Sequence, residues 1–343
     1  MARNIRGVFI TLLAFASGSF FTWTLTLYSI PESRSQKLAK IFDMEHQALI
    51  SSDASQKIQT TTQHGPSSRR EHEATKHSTN ASIRNLAYLV KASNPVRILC
   101  WVMTSPKTLH TRASSVRDTW GPRCDVTLYM SSQSDPDFPA VGLDVAEGRD
   151  ALWSKTKASF LYIYQHHFND ADWFMKADDD TYVIVDNLRH FLRDKDSCAP
   201  VYYGHHFQWY IEQGYMSGGA GYLMSKEALV RLVGQLRMED NCGAPKPMTL
   251  AEDLTVGQCM MKAGVLAGDS RDELNRSRFL PFDLETFFKN NLPDWYFKFA
   301  KYRVAKGLGC CSDSLITIHY VKDRMSMMLL DFYIHGIQVK TSG

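Results

Sequence analysis

The stretch from Trp173 to Val185 reads WFMKADDDTYVIV. Apolar residues occupy both ends of it, and three aspartates, Asp178, Asp179 and Asp180, stand side by side between them. Burying unpaired carboxylates costs several kcal/mol each, so these three must be solvated, paired or bound to a ligand. The run DWFMKA has the length and apolar content of a buried strand, which predicts a strand that ends on the acids.

Working outward from this strand, short apolar runs alternate with helical patterns. VRILCWVM (96–103) and DVTLYMS (125–131) are typical of buried strands, and TRASSVRDTW between them is typical of a helix. In SKTKASFLYIYQHHF, apolar residues recur at the spacing of one helix face. We therefore predict an α/β fold with a mainly parallel sheet and helices on both faces. Ligands of such sheets lie beyond the carboxyl ends of the strands, where the three aspartates fall.

Two interpretations of the aspartates remain open from the residues alone. Alternate carboxylates on an extended backbone point to one side, and Asp178 and Asp180 would suit a divalent cation bridged to phosphate oxygens. In the other interpretation, Asp180 or Thr181 caps a helix that begins near Val183, and the remaining acids are solvated.

The first thirty residues have a pattern of their own. Residues 7–30 carry no charge and would span a bilayer as a helix, and Arg3 and Arg6 precede them. This pattern predicts a cytoplasmic tail (1–6), a transmembrane signal anchor (7–30) and a lumenal remainder; a cleaved signal peptide is the alternative. Residues 31–93 are polar and predict a flexible stem, so the folded domain is expected at 94–343.

Composition narrows the partners. The formal net charge of +3 is small, and no basic run is interleaved with aromatic residues, so we expect no nucleic acid. All seven cysteines lie after residue 93, no CxxC pair is present, and an oxidising lumen would let them pair. We expect two or three disulfides. Because seven is odd, one thiol stays free or joins two chains in a homodimer.

The motif MKADDDTYVIVDNLRHFL resembles the nucleotide-sugar site of inverting β1,3-glycosyltransferases with the GT-A fold. Further motifs follow in the family's order over 96–322: TSPKTLHTRASSVRDTWG, GYMSGGAGYLMSKEAL, EDLTVGQCM, AGDSRD and GCCSDSLITIHYV. The set is most similar to the core 1 β1,3-galactosyltransferases. The resemblance implies a Golgi type II membrane enzyme that uses UDP-galactose and Mn²⁺ and transfers galactose to GalNAc on Ser or Thr of glycoproteins. It also implies the disulfides Cys100–Cys124 and Cys198–Cys242.

The resemblance assigns roles to individual residues. It implies that Asp178, Asp180 and His319 hold the metal, whereas a lone histidine at a strand end is more often structural. The residues that it places at the UDP-sugar are Asp178, Asp179, Arg112, Arg117, Trp120, Lys155, Gly218 and Gly219. From the residues alone, Arg117 is equally consistent with a paired structural arginine, and the glycines with a tight turn.

Inversion in a single displacement needs one general base on the acceptor hydroxyl. By resemblance Asp253 is that base and Glu252 supports it, although acids in a first helical turn are stabilising in any case. The resemblance also implies that Trp295, Tyr320 and Tyr215 contact the acceptor sugar, whereas each aromatic taken alone would more often be core.

Two segments depart from the family pattern. YGHHFQWYIEQGYM stands where core 1 enzymes carry a more basic stretch, and the C-terminus MSMMLLDFYIHGIQVKTSG is short and divergent. These departures leave two alternatives open: a non-catalytic chaperone of the same fold, or a β1,3-transferase with other sugars. The intact Asp178–Asp180 run favours an enzyme.

Overall fold

The computed structural model describes residues 11–16, 19–24, 95–239, 242–244 and 251–337. The chain divides into two units, Met1–Arg84 and Asn85–Gly343. In the first unit, β1 (Thr11–Ala16) and β2 (Ser19–Thr24) pair antiparallel, with Ala16 opposite Ser19. The predicted cytoplasmic tail (1–6) and stem (31–93) lie outside the described residues.

The helix predicted over residues 7–30 is not what the structure has at 11–16 and 19–24. These two segments are rich in Thr, Phe and Trp, which favour strands over helices. Among the described residues, no helix combines the length and the apolar character that crossing a membrane requires.

The second unit alternates strands and helices. Its strands are β3 (Ile98–Met103), β4 (Val126–Ser131), β5 (Ala140–Gly142), β6 (Trp173–Asp178), β7 (Tyr182–Val183), β8 (Val201–Gly204), β9 (His206–Phe207), β10 (Tyr215–Met216), β11 (Tyr222–Ser225), β12 (Leu266–Ala267), β13 (Phe279–Leu280) and β14 (Thr317–Ile318). Its α-helices are α1 (Ser114–Asp118), α2 (Leu152–His166), α3 (Val185–Leu192), α4 (Lys226–Met238), α5 (Glu252–Lys262), α6 (Leu284–Phe288), α7 (Asp294–Phe299) and α8 (Arg324–Asp331).

Seven strands form the central sheet in the order β12-β8-β11-β6-β3-β4-β5. Every pairing is parallel except those of β11, which runs antiparallel to both β6 and β8. The mainly parallel sheet that the sequence predicts is therefore confirmed. Six of the seven strands end at one edge, and β6 brings Asp178 to that edge near its middle.

Helices cover both faces of this sheet, as the apolar spacing predicts. Along β3, alternate residues enter two different cores: Ile98, Cys100 and Val102 on one face, and Leu99, Trp101 and Met103 on the other. Apolar residues of α1 and α3 pack in the first core, and those of α2, α4 and α5 pack in the second.

A three-stranded sheet, β13-β14-β7, lies beside the end of β6. β14 pairs parallel with β13 and antiparallel with β7, which directly follows the aspartates. The chain beyond β14 also contacts the turn that carries the acids, because Val321 N donates to Asp180 O at 2.9 Å. This small sheet therefore carries His319 to the carboxyl edge of the central sheet.

Three disulfides are present: Cys100–Cys124, Cys242–Cys259 and the adjacent pair Cys310–Cys311. The expected number and the first pair are confirmed, but the expected Cys198–Cys242 pair is wrong. Cys242 follows α4, which packs against α5, and this brings Cys259 to a Cα–Cα distance of 5.1 Å. Cys198 lies exposed with a free thiol.

Candidate active site

The three aspartates occupy the turn between β6 and β7. Asp178 is the last residue of β6 and is partly exposed, whereas Asp179 and Asp180 are buried. The helix-capping interpretation fails, because α3 begins at Val185 and its N-cap is Ile184, whose side chain cannot accept a capping hydrogen bond. Tyr182 and Val183 belong to a strand instead. The three carboxylates therefore do not cap the helix that follows them.

His319 faces two of these carboxylates. Its Nε2 lies 3.2 Å from Asp180 Oδ1 and 3.9 Å from Asp178 Oδ2. Its Nδ1 lies 3.1 Å from the carbonyl oxygen of Pro281, which can only accept, so the proton sits on Nδ1 and Nε2 points at the acids. This orientation by a backbone carbonyl is typical of metal-binding histidines.

The predicted metal ligands are thus brought together. One ligand atom from each of Asp178, Asp180 and His319 lies within 4.8 Å of the others. Two carboxylates and one imidazole suit a divalent cation such as Mn²⁺, with further positions left for phosphate oxygens or water. Burial raises the pKa of Asp180, but the neighbouring His319, Arg112 and Lys176 together outweigh burial and hold the pKa below its usual value. Asp180 therefore stays ionised, as a metal ligand must.

Glycine is required where the backbone meets the histidine. A Cβ at Gly219 would lie 2.1 Å from His319 Cε1, which no real contact allows. Gly219 O in turn accepts a hydrogen bond from Thr181 Oγ1 at 2.9 Å, which ties this backbone to the turn that carries the acids. Gly219 of GYMSGGAGY is therefore needed for close approach to the ligand set.

Asp179 is directed away from the metal ligands. Its Oδ2 accepts a hydrogen bond from Thr104 Oγ1 at 2.9 Å, just beyond the end of β3. Burial raises the pKa of Asp179 to about 6, against the opposing hydrogen bonds from Thr108 and Thr104. Asp179 thus joins the β3 loop to the acid turn.

Lys176 is a site residue that the sequence analysis did not single out. It lies within β6, only 3% exposed, and its Nζ donates to Asp178 Oδ1 at 2.6 Å and to Gly218 O at 2.9 Å. Burial lowers the pKa of Lys176, but Asp178 and Glu252 outweigh burial and raise it. The signal was available: a lysine inside an otherwise apolar strand needs a buried carboxylate partner.

The two acids of α5 have different surroundings. Glu252 is buried, and its Oε1 accepts from Tyr222 OH at 2.7 Å and from Thr156 Oγ1 at 3.2 Å. Asp253 is partly exposed and accepts the backbone N–H of Gly218 at 3.0 Å. Burial raises the pKa of both carboxyls, and Lys176 opposes the rise. Asp253 thus combines raised basicity with access to solvent.

The residues expected at the nucleotide divide into two groups. Arg112 Nη1 lies 3.7 Å from carboxylate oxygens of both Asp179 and Asp180, so Arg112 belongs to the site. Lys155 contacts Thr104, the residue that donates to Asp179. Its buried Nζ donates to Thr104 O at 3.0 Å and to Glu147 at 2.6 Å.

Arg117 and Trp120 are not brought to the acids. Arg117 pairs with Asp118 at 3.0 Å and lies over the ring of Phe138. Trp120 is fully buried in the first core. Arg117 lies on α1 and Trp120 follows the end of that helix, and their side chains are directed to the outer surface and to the core, respectively.

Aromatic side chains extend from the metal ligands. The ring of Tyr320 stacks on His319 with centroids 4.0 Å apart, and both Tyr320 and Trp295 are nearly half exposed. Phe282, which the sequence analysis missed, bridges them with ring centroids 5.9 and 5.8 Å away. Tyr215 is buried on β10, where Asp253 contributes to raising its pKa after the larger effect of burial. Tyr320 and Trp295 therefore offer exposed ring surface, whereas Tyr215 is buried and offers none.

Comparison with known proteins agrees with this geometry. The Fringe-like family model matches residues 93–268. Over 250 residues the chain is 45% identical to glycoprotein-N-acetylgalactosamine 3-beta-galactosyltransferase 1 of Xenopus laevis. The matched region covers 72% of this chain and 68% of that protein. The chain is 31% identical to human chondroitin sulfate synthase 3 and 30% identical to mouse beta-1,3-glucosyltransferase, each over 48% of this chain, but over only 20% and 33% of those proteins.

A mainly parallel α/β domain with an Asp-Asp-His site at the carboxyl edge of its sheet thus defines a Fringe-like glycosyltransferase. Within that class, the chain belongs to the core 1 β1,3-galactosyltransferase family, as the sequence motifs predict.

Proposed function

We propose that this chain transfers galactose from UDP-galactose to the 3-hydroxyl of GalNAc on Ser or Thr, with inversion. The observation that carries the proposal is the placement of Asp253 beside the metal ligands, through Gly218 and Lys176. A metal-binding acid pair and a separate basic carboxylate are the two parts that an inverting displacement needs. The Xenopus relative, named for this transfer, supports the choice of sugars.

On the donor side, Asp178, Asp180 and His319 would hold the cation. A divalent cation bound there neutralises the charge that grows on the departing diphosphate. Arg112, 3.7 Å from two of the acids, adds positive charge on the same side. Lys176 donates to Asp178 and to the backbone carbonyl of Gly218, which orients the glycine segment against the sugar.

On the acceptor side, Asp253 accepts the proton of the attacking hydroxyl. The raised pKa of its carboxyl matches this task, because a general base works best when its pKa approaches the working pH. Glu252, held by Tyr222 and Thr156 beside Lys176, supports the position of Asp253. Tyr320 and Trp295 stack on the C–H face of the GalNAc ring.

The same proposal includes the GT-A fold, Mn²⁺ as the cation, and a Golgi membrane location with the catalytic domain in the lumen. The uncharged run 7–30 after Arg3 and Arg6 supports membrane attachment. The free thiol of Cys198 supports a covalent homodimer, which gel electrophoresis with and without reductant tests.

The activity is tested with the full chain, GalNAc-threonine and a panel of UDP-sugars. We expect UDP-galactose to be the only donor that is used. Transfer should be lost in excess EDTA and should recover better with Mn²⁺ than with Mg²⁺. Asp180→Asn should abolish metal-dependent UDP binding, whereas Asp186→Asn, an exposed acid on α3, should not.

Three results would contradict this proposal in different ways. Full turnover in EDTA removes the metal from the mechanism. Transfer from another UDP-sugar only changes the donor. Retained UDP binding without transfer from any donor identifies a binding protein of the same fold.

A further inference from the structure

A surface of exposed rings continues outward from Trp295. Phe299 lies 6.2 Å from Trp295 between ring centroids, and the rings of Trp209 and Tyr210 lie 5.7 and 6.0 Å from Phe299. Trp209 is 46% exposed and Tyr210 is 62% exposed. We call Trp209, Tyr210 and Phe299 the outer aromatic surface. It is continuous with the rings that the proposed function assigns to the acceptor sugar, and no step of that transfer uses it.

The outer aromatic surface is held in place by backbone pairing. Phe207 of β9 forms an antiparallel bridge with Ala300, and Gln208 N donates to Phe299 O at 2.9 Å. Trp209 Nε1 donates to Lys298 O at 2.8 Å, which fixes its indole ring. Tyr210 has φ +74°, a conformation that costs a non-glycine residue energy, and its side chain is exposed. Large rings kept exposed at such a cost are typical of a binding surface.

Cations border these rings. The segment from Trp295 to Gly307 contains no Asp or Glu and four basic residues, all exposed: Lys298, Lys301, Arg303 and Lys306. Within the described part of the chain, none of the four forms an ion pair. Two acids lie near them: Asp294, one turn before Lys298 at the start of α7, and Asp269, which is already paired with Arg271 at 2.7 Å. Lys298 Nζ lies 5.1 Å from the centroid of the Trp209 ring, which joins the cations to the outer aromatic surface.

We propose that the outer aromatic surface and these four cations bind the polypeptide of the acceptor, and that they select peptides with Asp or Glu near the GalNAc-bearing residue. The inference rests on the proposed function, because Trp295 places the sugar at the start of this surface. A peptide attached to that sugar must leave the site across neighbouring surface. Rings supply sequence-tolerant contact area, and unpaired cations favour acidic side chains over basic ones.

An anionic membrane is another partner of basic and aromatic surfaces. The peptide is favoured here because the rings are continuous with the metal ligands through Trp295, Phe282 and Tyr320. A membrane bound at this surface would obstruct the neighbouring site, which has to admit a glycoprotein.

The test uses the full chain with four acceptors: GalNAc-threonine, and three glycopeptides of equal length whose flanking residues are Glu, Gln or Lys. We expect kcat/KM to fall in the order Glu, Gln, Lys, with differences that shrink as salt is raised. The double variant Lys298→Gln/Lys301→Gln should lose the Glu-over-Gln preference by about two- to fivefold for each cation. Its turnover of GalNAc-threonine should stay unchanged.

Two controls match these variants. Arg237→Gln removes a cation from an aromatic ring, Tyr164, on α4 at the other face of the sheet, and should leave all preferences as they are. Tyr210→Ala should lower kcat/KM on every glycopeptide but not on GalNAc-threonine. Tyr333→Ala, a tyrosine of nearly equal exposure, should change neither.

Equal kcat/KM on the three glycopeptides would overturn this inference while leaving the proposed function intact. Vesicles rich in phosphatidylserine that bind the chain, and release it on the double substitution without any peptide discrimination, would overturn it in favour of a membrane. Absence of transfer to all four acceptors would instead overturn the proposed function. Titration calorimetry with the same glycopeptides then still measures the acidic preference directly, and equal affinities there would overturn the inference.

Discussion

The backbone of Gly219 lies directly against the imidazole of His319, so that a methyl group at residue 219 would fall 2.1 Å from His319 Cε1. Gly219 lies in the turn before β11 of the central sheet, His319 directly follows β14 of the three-stranded sheet, and the two residues meet at the metal ligands. The contact is steric and needs no unusual backbone conformation, because Gly219 is not among the residues with positive φ.

Gly219→Ala should therefore displace His319 and weaken metal-dependent UDP binding by at least tenfold, the usual effect of disturbing a ligand's support. Titration calorimetry with UDP and Mn²⁺ measures this. The control is Gly234→Ala on α4, where an added Cβ meets nothing within 4 Å. That change should leave binding intact and stabilise the helix by roughly 0.5–1 kcal/mol. Equal UDP affinities in both variants would mean that His319 does not hold the metal.

The buried ammonium of Lys176 should be essential to the folded state. Lys176→Met leaves Asp178, Glu252 and Asp253 without their nearest cation, and breaking such a buried pair costs about 3–5 kcal/mol of unfolding free energy. Lys155→Met is the matched change. Lys155 is equally buried, but its partner Glu147 is 37% exposed and water can solvate it, so the cost should be smaller.

Urea unfolding of both variants measures these costs. A double-mutant cycle of Lys176→Met with Glu252→Gln isolates the coupling between the two charges. Additive effects would show that Lys176 and Glu252 do not interact.

The two acids of α5 should separate in kinetics. Asp253→Asn should keep UDP and metal binding, since those ligands lie elsewhere, but lose transfer by 10²–10⁴-fold, the usual contribution of a general base. Glu252→Gln should cost less turnover and more stability, because Glu252 is the buried partner of Tyr222 and Lys176. Turnover and UDP affinity on one acceptor decide between them. A dead Glu252→Gln beside an active Asp253→Asn would exchange their roles, and two active variants would place the base elsewhere.

Stability should fall in mild acid because of two buried histidines. Burial lowers the pKa of His206 to about 4 and that of His205 to about 3, from about 6.5 in an unfolded chain. Between pH 6.5 and 4 the unfolded chain binds protons that the folded chain does not. The free energy of unfolding should therefore drop as the pH falls, by about 1.4 kcal/mol per pH unit for each histidine.

His206→Gln keeps a donor for the carbonyl of Gln213 and should remove one of these two contributions to the slope. Urea unfolding at several pH values between 7 and 4 measures it. An unchanged slope in the variant would mean that His206 takes up its proton in the folded state.

Local periodicity in the sequence was sufficient for the main architecture. The strand before Asp178, the apolar faces of α2, α3 and α4, and the first-turn position of Glu252 and Asp253 each depend on neighbouring residues. The position of the acids at the edge of a parallel sheet follows from that order. The motifs identified the family, because the types of the site residues and their spacing can be read directly from the sequence.

Tertiary packing decided what neighbouring residues cannot. His319 reaches Asp180 only because β14 pairs with β7, and Cys242 finds Cys259 rather than Cys198 only because α4 packs on α5. The sequence alone did not mark Lys176 as a site residue. The fold places it beside Asp178 of β6, the backbone of Gly218 and Glu252 of α5. Residues 11–16 and 19–24 formed paired strands although their apolarity alone predicted a helix. For His319, Cys242 and the α5 partner of Lys176, the partner lies far along the chain, outside the window in which sequence periodicity acts, and strand pairing or helix packing selects it.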